Sequence, residues 1–330
     1  MTERQRERSK EEIEKLEAFI GLQGCSIATL RSYRRQVKRY IEFICNQEWE
    51  KGTTPEQKLE AFLTGEAKRN VSESTQNGAF HAVCYYYRHI QKRPLENVDA
   101  LRAKRGKRVR QAPSKDDTRK VLMAVADSGG YPTRLICHLI YACGLRVGET
   151  TAIRLKDINL KTGELVIIQG KGKKDRFIQV PEMLLPQLRI QAGVAESIWR
   201  KAQSMGVPTK LPNQLAEKYP KAPNQKRWFW LFPQLQPCND IDGPGRVWWH
   251  CLPDTVQRAM RSANKRAGTE GIAPHHLRHA WATHAHRSGA DVRDIQEILG
   301  HRDIRTTMDY LAPDPERVKS PIETLLTEAA

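Results

Sequence analysis

One stretch, residues 102–110 (RAKRGKRVR), constrains this chain more than any other. It holds six Arg or Lys residues and shows no apolar periodicity. Such a segment has nothing to bury, so it cannot run through a core. Folding must happen on either side of it. The 330 residues thereby divide into two parts, each of ordinary domain size. With the following Gln111-Ala112-Pro113, we read 102–113 as an extended basic linker able to strap across a polyanion. A solvated charge run has the same composition.

Before the linker the pattern is helical. Residues 1–15 are dense in Glu, Arg and Lys, read as a charged arm, and have no apolar stretch of the kind a secretory signal needs. Residues 26–45 predict a helix capped by Ser26. Leu30, Tyr33, Val37, Tyr40, Ile41 and Ile44 recur at helical spacing, while Arg31, Arg34, Arg35, Lys38 and Arg39 fall largely between them. One face is apolar and the other basic, so Arg31, Arg34, Arg35 and Lys38 are candidate DNA contacts. Helices over 54–68 and 74–90 follow, the latter turning Phe80, Val83, Cys84 and Tyr87 towards a core. Residues 1–101 are thus expected to form a small helical domain.

After the linker, Ser114 and the acidic residues behind it open a new helix. Helices are expected over 133–142, 147–155, 181–204, 252–268, 275–288, 292–299 and 303–311. Residues 164–169 (ELVIIQ) and 176–180 (RFIQV) are rich in β-formers and flank a Gly- and Lys-rich tip, which is a hairpin signal. Residues 228–233 (WFWLFP) are an aromatic run, read as a buried strand beside the hairpin, a stacking surface, or both. The fold class expected is mainly α with a small antiparallel sheet.

The net charge of +17 surrounds the chain with a positive field that draws polyanions, nucleic acid foremost. With 39% hydrophobic residues and 28% charged, the composition is that of a soluble globular protein. No stretch reaches the apolar length of a membrane span. Seven scattered cysteines without a Cys-x-x-Cys pair argue against a disulfide framework or zinc ribbon, and the expected location is the cytoplasm.

Four short segments carry chemistry: Gly144-Leu145-Arg146-Val147-Gly148-Glu149; the hairpin tip with Lys171, Lys173 and Lys174; His275-His276-Leu277-Arg278-His279; and Leu299-Gly300-His301 through Asp309-Tyr310. Attack on a phosphodiester builds charge on its non-bridging oxygens. Two arginines can clamp those oxygens. A lysine at a hairpin tip can protonate the departing oxygen, and histidines can take the proton of the nucleophile or bond the phosphate. A tyrosine hydroxyl would form a covalent phosphotyrosine that keeps the bond energy for rejoining. No metal or other cofactor is then required. Taken singly, each has a plain alternative: Arg146 as a surface residue, Lys171 as a turn lysine, Tyr310 as packing. The His275, His276, His279 cluster could hint at zinc, but no HExxH motif accompanies it.

Together, in this order, GLRVGE, GKGKKDR, HHLRHAWATH and LGHRDIRTTMDY resemble the motif boxes of the tyrosine recombinases, which include Xer proteins and phage integrases. The likeness runs from about Ser114 to the C-terminus, and more loosely over the N-terminal helices. It implies Arg146, Lys171, His275, Arg278 and His301 as the phosphate-activating set, Tyr310 as nucleophile and Glu149 as support for the first arginine. It also implies a two-domain C-shaped clamp, with a core-binding domain at 1–101, a catalytic domain at 114–330, and a monomer that becomes a tetramer on DNA. Arg105, Lys107, Arg108, Lys173 and Lys174 are further candidate DNA contacts.

A narrower resemblance joins Ser74-Thr75-Gln76-Asn77, residues 211–222, the WFWLFPQ stretch and 318–322 to the integron integrases, placing an additional segment near 205–233. In that group the segment helps hold folded single strands with extrahelical bases. The chain departs from the group at Arg246-Val247-Trp248-Trp249-His250, where many members carry Arg-Arg-His-His, and at Tyr310-Leu311-Ala312-Pro313. Neighbouring side chains diverge in a strand and in a helix, so at least one of Trp248 and Trp249 is expected at the surface, beside His250, as a platform for a base. The rival readings are a Xer- or phage-type integrase confined to duplex sites, and a DNA-binding regulator without catalysis.

Overall fold

A computed structural model describes residues 2–23, 27–69, 71–99, 112–168, 175–240, 243–301 and 303–308. The chain separates into two compact units, Met1–Arg108 and Val109–Ala330.

The first unit is four helices: α1 (Glu3–Leu22), α2 (Ile27–Cys45), α3 (Pro55–Lys68) and α4 (Glu73–His89). The charged arm expected at the start is in fact α1. A capping box between Thr2 and Gln5 opens it, and Ile13, Leu16 and Ile20 line one face and are buried. Charged residues between those positions conceal a three- and four-residue spacing that is enough for a buried stripe. The Tyr86 hydroxyl donates to Glu12 at 2.9 Å, which ties α1 to α4. Val37 and Tyr40 of α2, Leu59, Phe62 and Leu63 of α3, and Ala79, Ala82 and Val83 of α4 complete the core. Arg31, Arg34, Arg35 and Lys38 stand exposed on α2, Arg34 paired with Glu17 at 3.0 Å. Arg39 turns instead to the buried carboxylate of Glu66.

The second unit holds α5 (Lys115–Ala124), α6 (Thr133–Cys143), α7 (Val147–Thr151), strands β1 (Glu164–Ile167) and β2 (Arg176–Gln179), α8 (Leu185–Ser204), α9 (Asn213–Lys218), strands β3 (Cys238–Asn239) and β4 (Arg246–Val247), α10 (Pro253–Ala267), α11 (Pro274–Arg287), α12 (Val292–Leu299) and α13 (Ile304–Met308). Ser114 caps α5 through the backbone of Asp117. β1 and β2 pair antiparallel with Val166 opposite Phe177. Leu165, Ile167 and Ile178 face the core, where they join Ile136, Leu139 and Ile140 of α6.

The helix expected over 147–155 stops at Thr151, and a 3-10 turn covers Leu155–Asp157. The break lets Arg154 turn inward, with its backbone N–H donating to Asp157 at 2.9 Å. The 228–233 run forms no regular strand. It makes single bridges, Arg154 to Trp230 and Pro233 to His250, while Phe229, Trp230, Leu231 and Phe232 are buried. Trp248 is buried too, packed in a cluster with Phe229 and Ala202, its indole N–H donating to Gln234 O at 2.6 Å. It is therefore no platform for a base: just past β4 it bridges to Thr209 and packs inward, and its neighbour Trp249 is the half-exposed one.

Candidate functional site

The site grows from two helix ends. α6 closes on Gly144 in the left-handed conformation, φ 60°. A Cβ there would lie 2.7 Å from the Trp281 ring of α11, so only glycine lets α6 and α11 approach this closely. The turn places Arg146 at the N-cap of α7. α12 ends in the same way on Gly300, φ 62°, which delivers His301. The third component, Arg278, lies on α11 and is 3% exposed.

Glu149 organises these parts. Its Oε1 accepts from the Arg146 guanidinium at 2.7 Å, and its Oε2 from the Arg146 backbone N–H at 2.9 Å. Arg176, on the first residue of β2, bonds both oxygens at 3.3 and 2.7 Å. Burial pushes the Glu149 carboxyl up, but these guanidinium and amide donors outweigh it and bring the pKa down to about 2. Arg278 approaches Glu149 only to 3.7 Å. It donates instead to Gly144 O at 2.7 Å and to Leu299 O at 2.6 Å.

His301 has a defined tautomer. Arg278 Nη2 lies 3.1 Å from His301 Nε2, and arginine can only donate. Nε2 therefore accepts, and Nδ1 carries the proton that meets Thr307 Oγ1 at 3.0 Å. Burial, then the positive charges of Arg278, Arg146 and Arg176, lower its pKa to about 4. The imidazole is neutral at physiological pH.

Three guanidinium groups thus surround one carboxylate and a neutral imidazole, leaving two positive charges in excess. A phosphodiester brings one negative charge and gains a second as it is attacked, so the excess matches the reacting group. Arg146 has a 42% exposed side chain and is the open member. His275 lies exposed on the first turn of α11, one turn before Arg278, its ring 3.9 Å from that of His276.

Of the residues singled out from sequence, the structure brings Arg146, Glu149, Arg278 and His301 together. Lys171, Lys173, Lys174, Tyr310, Arg105, Lys107 and Arg108 lie outside the described residues. Arg176 was not among the expected site residues, although it ends the GKGKKDR motif. His250 is half-buried between Trp230 and Trp249, at 4.9 and 5.4 Å between ring centres. Burial first, and Arg154 in addition, lower its pKa to about 4. Among the described residues, no group of three or more His, Cys, Asp or Glu side chains is placed to hold a metal ion, and no helix is long and apolar enough to cross a membrane.

Comparison with known proteins bears on the same residues. The phage integrase family matches residues 114–317, and the N-terminal SAM-like domain of phage integrases matches 13–97. An integrase/recombinase of Escherichia coli is 33% identical over 325 residues, covering 96% of this chain and 95% of that protein. The tyrosine recombinase XerD of Agrobacterium fabrum is 29% identical over 333 residues, with 94% and 93% covered. Among solved structures, a lambda integrase fragment, captured as a dimer bound to a COC′ core site, superposes with a TM-score of 0.59 at 16% identity, covering 94% of this chain and 98% of that one. The XerH recombinase in its post-cleavage complex with difH gives 0.58 at 18% identity, covering 92% and 80%. These two structures share the fold. The family match spans most of the chain and includes the whole arginine cluster, and the chain belongs to the phage integrase family: it is a site-specific tyrosine recombinase, a DNA strand-transferase.

Proposed function

We propose that this recombinase integrates and excises integron gene cassettes through a 3′-phosphotyrosine intermediate. Tyr310 attacks the scissile phosphate. Arg146 and Arg278 bind its non-bridging oxygens, His275 and His301 assist at the phosphate and the nucleophile, and Lys171 protonates the leaving oxygen. The 1–101 domain and the 102–113 linker hold the DNA through Arg31, Arg34, Arg35, Lys38, Arg105, Lys107 and Arg108, while Lys173 and Lys174 add contacts beside the hairpin tip. Four protomers act together on two sites. The observation that carries the chemistry is the excess of two positive charges held around Glu149, next to a neutral His301.

The cassette reading rests on the integron-like segment. There α9 leads to an exposed Tyr219, whose ring lies 6.2 Å from Trp228. Lys156 sits 4.7 Å from the centre of the Trp228 ring. Aromatic rings with cations beside them suit unpaired bases, each stack contributing about 1–3 kcal/mol. Half-exposed Trp249 adds a second such surface.

The test uses nicked suicide substrates selected from randomised libraries by binding to the purified protein, one set duplex and one set folded single strands with a protruding base. The cassette reading expects covalent adducts on the folded strands, weakened by removing the protruding base. Adducts on duplex alone would leave the duplex-restricted integrase as the answer. Binding to both sets without any adduct would count against Tyr310 as the nucleophile. Cleavage should persist in EDTA.

A further inference from the structure

Arg176 is a buried cation that counts in the charge of the cluster but to which the proposed chemistry gives no contact with the phosphate. It is 5% exposed and makes three hydrogen bonds to two partners. Two of its nitrogens grip both oxygens of Glu149, at 3.3 and 2.7 Å, and its Nε donates to Ile298 O at 2.7 Å. That single side chain joins β2, α7 and the end of α12. The next carbonyl of α12, Leu299 O, takes a bond from Arg278 at 2.6 Å. Two guanidinium groups therefore bind consecutive carbonyls at the C-terminus of α12, where the helix dipole is negative and helical partners have run out. His301 follows two residues after Leu299.

The acceptor count at Glu149 matters equally. An ionised carboxylate offers about four lone-pair positions. Here Arg146 takes two, with its backbone and its side chain, and Arg176 takes the other two. Arg278, at 3.7 Å, is beyond hydrogen-bond distance and is left to Gly144, Leu299 and His301. Without Arg176, each oxygen of the carboxylate would lose one of its two donors, and the nearest replacement donor is Arg278. A carboxylate that captures Arg278 competes with the phosphate for it.

We propose that Arg176 is a positioning residue of the cleavage site: by occupying Glu149 on both oxygens and pinning the end of α12, it keeps Arg146 and Arg278 available to the scissile phosphate and His301 in place. This rests on the reading of Arg146 and Arg278 as the phosphate clamp. Arg176 itself touches no reacting atom.

The experiment is single-turnover cleavage of a nicked duplex, selected by binding from a randomised library, by the wild type, Arg176→Gln, Arg176→Lys, Glu149→Gln and the double variant Arg176→Gln/Glu149→Gln. DNA affinity and melting temperature are measured alongside. Arg176→Gln is expected to slow cleavage by about 10-fold or more, a size typical of coupled neighbours, with DNA affinity within about three-fold because no phosphate contact is lost. Arg176→Lys should fall between it and the wild type, since lysine keeps the charge but not the fork. The decisive readout is the double variant: removing the charge that Arg176 balances should restore cleavage above that of Arg176→Gln alone. Simple loss of packing would instead make the two defects multiply. Should Arg176→Gln fail to fold, the Arg176→Lys and Glu149→Gln pair and their double carry the same test. Wild-type cleavage rates in the Arg176 variants, or multiplied losses in the double, overturn the proposal. A wild-type protein that forms no adduct through Tyr310 would instead overturn the clamp reading beneath it.

Discussion

Arg146 and Arg154 lie eight residues apart, at opposite ends of α7, and the protein uses them for opposite purposes. Arg146 keeps a 42% exposed side chain and leans on one carboxylate. Arg154 is 7% exposed. Its guanidinium lies 3.6 Å from the centre of the Trp230 ring and 5.9 Å from that of Trp228, and it donates to the carbonyls of Trp228 and Lys210. Burial lowers the Arg154 pKa to about 10, against the pull of Asp157. Aromatic faces and carbonyls spend this cation on holding the tryptophan layer together. A carboxylate partner leaves Arg146 aimed and open. An arginine next to a glycine turn and an arginine before a buried aromatic run look alike in composition; their partners separate them.

The sharpest way to break the contrast is to truncate each arginine. Arg146→Ala is expected to raise the cleavage barrier by about 2.7–4 kcal/mol, the cost of one transition-state donor, with the melting temperature little changed. Arg154→Ala is expected to do the reverse. It strands the buried carbonyl of Lys210 and the partly buried one of Trp228, so stability should fall by about 2–3 kcal/mol, while cleavage by the folded fraction stays near wild type. Denaturant titration beside single-turnover cleavage reads both, and equal effects on both observables would erase the distinction.

The paired tryptophans sharpen the comparison from within the aromatic layer. Trp249→Ala should weaken binding of a folded strand with a protruding base by about 1–3 kcal/mol, with much less change on a matched duplex. Trp248→Ala should instead lower the melting temperature and weaken both DNAs alike. Equal losses for Trp249→Ala on the two DNAs would return it to packing.

Acid stability sets the two regions side by side, since each contributes one histidine to it. His250 and His301 both have folded-state pKa values lowered from 6.5 to about 4. As pH falls, the unfolded chain takes up their protons first, so stability drops between about pH 6.5 and 4 and is insensitive to them above that window. Glu149, lowered from 4.5 to about 2, stabilises the fold above 4.5 and loses that contribution as the pH falls towards 2. Melting curves across this range should show the decline, and His250→Asn should flatten its upper part. A melting temperature unchanged from pH 7 to 4 would contradict both assignments.

Much of this was legible in the sequence, for identifiable reasons. Periodicity marked α2, and Ser114 and Thr54 marked the starts of α5 and α3, because these signals act within one or two helical turns. Arg146, Arg278 and His301 were recognisable from motif wording. What stayed hidden acts over distance. Arg176 follows a lysine-rich tip and reads as one more surface cation, yet its partners are Glu149, 27 residues away, and Ile298, 122 away. Trp248 and Trp249 could be told apart only once Trp248 bridged to Thr209, far back in the chain, and packed against Phe229. α1 hid behind its own charge, since its buried positions are few and widely spaced.

Covalent capture on the nicked duplex tests the central claim most directly. After wild-type protein reacts with it, the trapped complex is digested and the DNA-linked peptide identified by mass spectrometry. The account predicts a single adduct on Tyr310, absent in Tyr310→Phe although that variant binds DNA within about a few-fold of wild type, since the hydroxyl makes the attack and the basic residues make the grip. An adduct on another residue, or one that persists in Tyr310→Phe, would contradict it.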